Sequence, residues 1–411
     1  MRREMLGVLL AVGAGTSYAV FVDAKIETTP VSQVKLESVA GKVASLVPPE
    51  KKWRLVWHDE FDGAAIDKTK WMCRESFWGY DMPSLSHDFE GVEMTGETVR
   101  LNLLRKGDDF VSPHLQTGSL TYDIPRDTTG FWGFGKRKKP LFMKKYGYFE
   151  IRCRLPKYPG WHAAFWFQSP CVGAHPDPAY AGVETDIMEN YQQHTTGKMV
   201  GGNGWSGYGK DSCWFDHFEW THEETTDGWH VYGCDWSPDG YVFYCDGKKV
   251  GEQNFPVSHV SEFLLVSTEA GGYRKVGPDG GLTAGRKTKE WGKPDPRLFD
   301  VKLPDFFEVD YVRVYDNAEG YRPAPAPLPL VPVAEPSAAD APKLIDALRV
   351  RERRLHVAPA AVQLAEFPKA EILKMNAEAA ALLKFARNEK TEAVLKSVMV
   401  TCAKTLRDRC R

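Results

Sequence analysis

Between residues 52 and 316, apolar and polar positions alternate in short runs separated by turn residues. Examples are "TVRLNLLRK" (98–106), "YGYFEIRCRL" (146–155), "HAAFWFQS" (162–169), "YVFYCDGKKV" (241–250), "FLLVSTEAGG" (263–272) and "FEVDYVRVYD" (307–316), punctuated by "SPDG" (237–240) and "CDGK" (245–248). Period-two alternation marks a strand with one buried face. Many such runs without intervening helices predict an all-β sandwich over 52–316. The pattern then changes abruptly. "RPAPAPLPLVPVAEP" (322–336) is a stiff spacer within a Pro/Ala-rich linker over 317–342. Residues 343–411 contain no glycine, and "AEILKMNAEAAALLKFARNEKTEAVLKSVMV" (370–400) repeats apolar residues at helical spacing. That predicts a C-terminal α-helical appendage of two or three helices packed on one another.

Upstream of the sandwich, residues 25–51 form a polar lead-in. Residues 1–24 place a basic "MRR" before the apolar "MLGVLLAVGAG" and supply small residues at Ser17 and Ala19, the order of a cleavable signal peptide. This apolar run falls short of the roughly 20 residues a membrane span needs, and so does every later run. The expectation is a secreted or periplasmic protein without stable membrane insertion. A net charge of −2 gives no pull toward nucleic acid. Export permits disulfides, but the eight cysteines follow no zinc-site spacing. Cys153, Cys234 and Cys245 lie in apolar strand runs and are expected as buried thiols.

Composition points to chemistry through its aromatics, 12% of the chain with 13 Trp, all within 52–316. Acids point to it more sharply. In "GVETDIMENYQQH" (182–194), Glu184, Asp186 and Glu189 are spaced i, i+2, i+5. On a helix they would lie at about 0°, 200° and 140°, with Glu184 turned away. On a plain strand, Glu184 and Asp186 share a face and Glu189 falls on the other. One extra residue, a β-bulge near Ile187–Met188, would bring all three to one face.

Five segments carry a resemblance. They are "WRLVWHDEFDGAAIDKTKW" (53–71), "YGYFEIRCRLPKYPGWHAAFWFQS" (146–169), "ETDIME" (184–189), "HVYGCDWSPDGYVFYCDGKKV" (230–250) and "FFEVDYVRVYD" (306–316). In this order they resemble glycoside hydrolase family 16, the laminarinase- and lichenase-like β-glycanases, over about 52–316. The resemblance implies a concanavalin-like β-jelly-roll of two antiparallel sheets, with a concave substrate-binding face that carries the bulged motif. It implies Glu184 as nucleophile, Glu189 as acid/base and Asp186 as the hydrogen-bonding neighbour of the nucleophile. Retaining glycoside hydrolysis needs two carboxyls about 5–5.5 Å apart, and a group of like charges raises the pKa of at least one member.

Sugar rings stack on aromatic faces, so Trp161, Trp166, Tyr191 and Trp205 are expected substrate contacts, together with His194 and Asn203. Related bacterial sequences often carry N-L-H where this chain has "GGNGW", so neither Gly204 nor its neighbours supply that motif's histidine. The basic "GKRKKPLFMKK" (135–145) reads as a solvated loop, or alternatively as a contact for sulfated glycans. Many family members hold a structural calcium on the convex face, and the matching positions are Glu60, Asp310 and the backbone at Gly96. Catalysis itself requires no cofactor. The reading is an endo-acting, retaining hydrolase of β-1,3- or mixed β-1,3/1,4-glucan, acting as a monomer on polysaccharide. The rivals are a galactanase of agarase, porphyranase or carrageenase type, and a non-catalytic glycan-binding module. The carboxylate triad argues against the last.

Overall fold

The computed structural model describes residues 35–37, 39, 41–74, 82–119, 139–172, 181–190, 198–202, 204–205, 214–215, 218–221, 225–254, 256–274, 291–324, 333–334, 336–357, 367–382, 385–386, 391, 394–395, 397–399, 401–402 and 405. The proposed signal peptide lies outside them. Two antiparallel sheets form the sandwich. In the first, the order is Lys248–Gln253, Gly240–Cys245, His230–Ser237, Gly147–Arg154, Phe306–Asn317, Val99–Asn102 and Val92–Met94, with Trp53–Asp59 also pairing Phe306–Asn317. In the second, it is Trp214–Phe215, Gly204–Trp205, Glu184–Asn190, Trp161–Gln168, Phe263–Ala270, His114–Gln116 and Met72–Cys73. Lys198–Gly201 joins this sheet between Glu184–Asn190 and Phe218–Thr221. The all-β sandwich expected from the alternation is therefore present, with the two antiparallel sheets of the jelly-roll that the resemblance implied, and a helical part follows it.

Alternation decides what fills the space between the sheets. Phe149, Ile151 and Cys153 of one strand, and Val309, Val312 and Val314 of another, meet Ala163, Phe165, Phe167, Leu264 and Val266 from the facing sheet in one core. The intervening residues face outward. Cys153, Cys234 and Cys245 are buried free thiols, as expected of small residues in apolar strands.

The lead-in is not loose. Lys35–Glu37 and Ser45–Val47 form a hairpin that covers the outer face of the first sheet. There Leu46 N–H donates to Glu150 Oε2 (2.9 Å), Tyr148 O–H donates to the Leu46 carbonyl (2.9 Å), and Tyr315 O–H donates to Ser45 Oγ (2.7 Å). At the other end, Tyr321 and Ala324 still pack on the sandwich core, a few residues beyond the closing strand. The helices Ala341–Val357 and Lys369–Leu382 bury a separate cluster that includes Leu348, Leu355, Ile372, Met375 and Leu395. Arg351 ties the two by donating to Glu371 and Glu378.

Candidate active site

The three acids of the motif sit on strand Glu184–Asn190, in the middle of the second sheet. Its pairing with Trp161–Gln168 runs Gln168↔Glu184, Phe167↔Thr185, Trp166↔Asp186, then Phe165↔Met188 and Ala164↔Glu189. The register shifts between Phe165 and Trp166, so Ile187 is the extra residue of a bulge. Ile187 and Met188 both turn into the core. Gln168, Trp166 and Ala164 alternate on a regular strand and share a face. Their partners Glu184, Asp186 and Glu189 therefore share it too. The bulge falls where the i, i+2, i+5 spacing demanded one.

This face has its own small apolar cluster, in which Ala164, Trp166, Phe263 and Leu265 pack with Met143, apart from the sandwich core. Around it lie the polar groups. Gln168 Nε2 donates to Glu184 Oε2 (2.8 Å), and Trp166 Nε1 donates to Ser267 Oγ (2.8 Å). His162 Nε2 stands 3.4 Å from Glu189 Oε1. The strand enters through Gly182, whose positive φ (+78°) suits glycine and whose missing Cβ would lie 2.3 Å from that of Ser169. Directly afterwards, Val183 N–H donates to the buried Glu262 Oε1 (2.9 Å).

Burial first, then the neighbouring Glu189, pushes the Glu184 carboxyl up to about 8. Burial, Glu189 and Glu184 hold Asp186 well above the usual carboxylate range. The site therefore keeps protons at neutral pH, because closely spaced buried carboxylates cannot all ionise. Arg74 and Arg274 act on Glu184 and oppose its rise. Arg274 in turn is held by Glu269, with its Nε 2.7 Å from Oε1. His114, nearly enclosed, is kept neutral by burial and by Arg74, Arg274 and His162 around it.

Alternation corrects one expected contact. His162, Ala164, Trp166 and Gln168 share the cleft face, so Trp161 cannot. It is fully buried in a second apolar cluster with Leu85, Phe110, Tyr273 and Leu298, and its indole N–H donates to Asp305 Oδ2 (3.0 Å). Trp166 does lie on the cleft face, 8% exposed. Tyr191, His194 and Asn203 fall outside the described residues. The backbone of Trp205 pairs opposite Glu184. Of the basic loop, Lys144 is engaged in the sandwich, donating to Asp316 Oδ1 (2.8 Å). The sequence does carry a signal for His162 and Gln168, since they share the parity of Trp166. Arg74, Arg274, Glu262 and Glu269 had none.

The residues matched to a calcium site do not fit that ion. Both oxygens of Glu60 accept from the buried Arg313, at 2.9 Å from Nε and 2.7 Å from the second nitrogen. Asp310 Oδ2 accepts from Arg152 (2.6 Å). A guanidinium already supplies the positive charge at each carboxylate, and a dication beside it would meet like charge. Gly96, at φ +91°, serves as a turn residue.

Residues 116–259 match the model of "Glycosyl hydrolases family 16". The chain is 26% identical over 286 residues to glucan endo-1,3-beta-glucosidase A1 of Niallia circulans, covering 64% of this chain and 37% of that protein. It is 26% identical over 238 residues to a beta-glucanase of Acetivibrio thermocellus, covering 55% and 59%. It thus spans less than two thirds of the length of these relatives. Among solved structures, the catalytic domain of an endo-1,3-beta-glucanase (laminarinase) from Thermotoga petrophila superposes with a TM-score of 0.45 at 20% identity, covering 65% of this chain and 99% of that one. The bulged E-x-D-x-x-E strand lies inside the segment that matches this family.

Proposed function

We propose that this chain is a secreted endo-β-glucanase that cleaves β-1,3- or mixed β-1,3/1,4-glucan with retention of anomeric configuration. Glu184 attacks the anomeric carbon as the glycosidic C–O bond breaks, and Glu189 gives its proton to the departing oxygen. Water then attacks the glycosyl–enzyme ester, Glu189 takes a proton from it, and the Glu184 carboxylate is released. Asp186, which burial and its two acidic neighbours hold well above the usual carboxylate range, supports the nucleophile as a hydrogen-bond donor. The observation that carries this reading is the bulge at Ile187, because without it Glu189 would project into the core. The glucan substrate is supported by what the two curated relatives are named for. Trp166, Trp205, Tyr191, His194 and Asn203 remain the proposed sugar contacts. One observation favours a second substrate class. Arg74 and Arg274 both act on Glu184, and paired guanidiniums would suit an anionic galactan.

The test uses Glu189→Ala. It should cleave polysaccharide very slowly, yet release aryl alcohol from an activated aryl β-glycoside in a burst, since that group departs without a proton. Azide should restore turnover and give a β-glycosyl azide. An α-azide would make Glu189 the nucleophile and reverse the two roles. Sizing the products from laminarin, mixed-linkage glucan and sulfated galactans then separates the two substrate classes.

A further inference from the structure

At the ends of two adjacent inner strands of the first sheet, away from the sheet that carries the three acids, three different donor types converge. Strand His230–Ser237 pairs with Gly240–Cys245 so that Tyr232 lies opposite Cys245. The turn beyond Cys245 brings Asp246 back against the start of its neighbour. Asp246 N–H donates to the Val231 carbonyl (2.8 Å), and Val231 N–H donates to Asp246 Oδ1 (2.8 Å). This double clasp holds Asp246 at a positive φ of 49°, an uncommon conformation for a residue with a side chain. With Oδ1 fixed, Oδ2 faces His230 Nδ1 at 2.8 Å and Cys245 Sγ at 3.8 Å. The three donor atoms all lie within 4.8 Å of one another, and no other such group of three occurs among the described residues.

We propose that His230, Cys245 and Asp246 form a structural site for zinc, or for a divalent ion of similar softness. An imidazole nitrogen, a thiolate sulfur and a carboxylate oxygen are the three donor types zinc takes, at about 2.0–2.3 Å, whereas calcium takes oxygen alone. Tetrahedral bonds of that length set donors roughly 3.5 Å apart, so the group closes on the ion by about 1 Å at its widest pair. His230 and Cys245 are each 4% exposed. The Asp246 side chain is 32% exposed, so the ion enters from that side and water completes the fourth position. On binding, the thiol proton leaves to solvent and the Nδ1 proton of the neutral His230 ring is carried at Nε2 instead, so the ion bonds to thiolate sulfur, imidazole nitrogen and carboxylate oxygen without redox change. The ion would staple the turn after Cys245 to the preceding strand, independently of the cleft.

The experiment titrates the full chain, reduced and freed of metal, with cobalt(II) and then zinc(II). One equivalent of cobalt should bring up a thiolate-to-cobalt charge-transfer band with the visible bands of four-coordination, and zinc should displace them and raise the melting temperature. Cys245→Ser should lose the charge-transfer band, while Cys73→Ser, which removes the half-buried thiol of the other sheet, should keep it. Asp246→Asn, which retains an acceptor for Val231 N–H, should weaken cobalt binding by about tenfold or more. A wild-type chain without the charge-transfer band overturns the proposal whatever the variants do. So does a band that survives Cys245→Ser, or equal cobalt affinity in folded Asp246→Asn.

Discussion

Buried acids occur on both sheets, in opposite electrostatic company. On the first sheet, Glu60 is gripped by Arg313, Asp310 by Arg152, and Glu308 by Arg154 and Arg100 together with the Thr98 hydroxyl. Burial alone would raise Glu308, but these partners carry it below the usual carboxylate range. On the second sheet, Glu184 and Asp186 face Glu189 and each other, and both are raised. The contrast is one of use. An acid paired with a guanidinium is fixed in its ionised form and locks strands together. An acid set against other acids keeps a proton that can move near neutral pH. The second arrangement opposes folding, and the well-paired first sheet carries it.

Glu184→Gln should lower turnover on soluble glucan by about four orders of magnitude. It should leave the fold intact, because it removes a charge that the site repels. Retention of more than about a tenth of wild-type activity, a step of only about 1.4 kcal/mol, would remove Glu184 from the nucleophile's role. On the other sheet, Arg313→Met should cost about 3–5 kcal/mol in urea unfolding, since it strands the buried Glu60 carboxylate. Activity per folded molecule should hold. A loss below about 1 kcal/mol would mean that the pair is solvated and the contrast overstated.

Glu262→Gln separates burial from chemistry. Burial pushes Glu262 to about 8, so the folded state holds a proton that the unfolded chain has already released. Stability from this group is greatest below its unfolded value of about 4.5, falls as pH rises from there to about 8, and stays low beyond. The glutamine variant should match wild type near pH 4 and exceed it increasingly up to pH ~8. Parallel stability curves across that range would show that Glu262 is ionised throughout. Arg74→Met should act on the pH profile instead. Without that cation Glu184 rises further, and the acidic limb of kcat/KM should move up by roughly a unit. An unmoved limb would detach Arg74 from the nucleophile. Smallest of all, a chain ending after Ala324 should fold and cut soluble glucan at near wild-type rate, because the helices bury their own cluster. One ending at Asp316 would lose Tyr321 from the core and should melt at lower temperature.

Period-two reasoning made the bulge legible, because three acids at 184, 186 and 189 cannot share a face of an uninterrupted strand. The same reasoning excludes Trp161 from the face of Trp166, since five residues separate them. Trp161 matches a family position, yet its parity places it on the buried face. The loss of glycine after residue 342 and the helical spacing made the C-terminal helices legible in the same local way. What stayed hidden depends on contacts distant in sequence. Arg313 reaches Glu60 across 253 positions, and nothing near Glu60 announces that a guanidinium will take both its oxygens. Arg74 and Arg274 are brought toward Glu184 from opposite ends of the sandwich sequence. Glu262 sits in no motif and matters only because the chain before Glu184 folds against it.

The strand Phe306–Asn317 pairs with Gly147–Arg154, with Val99–Asn102 and with Trp53–Asp59. It emerges last of the four during synthesis. At roughly 5–20 residues per second, the opening strand waits on the order of ten seconds to a minute for its partner. Throughout that interval Trp53, Trp57 and the hairpin before them have no sheet to join, and pairings so distant in sequence close slowly even when the partner arrives. Delay is thus written into the order of the strands, and the first sheet cannot close before the strand that three others share has left the ribosome.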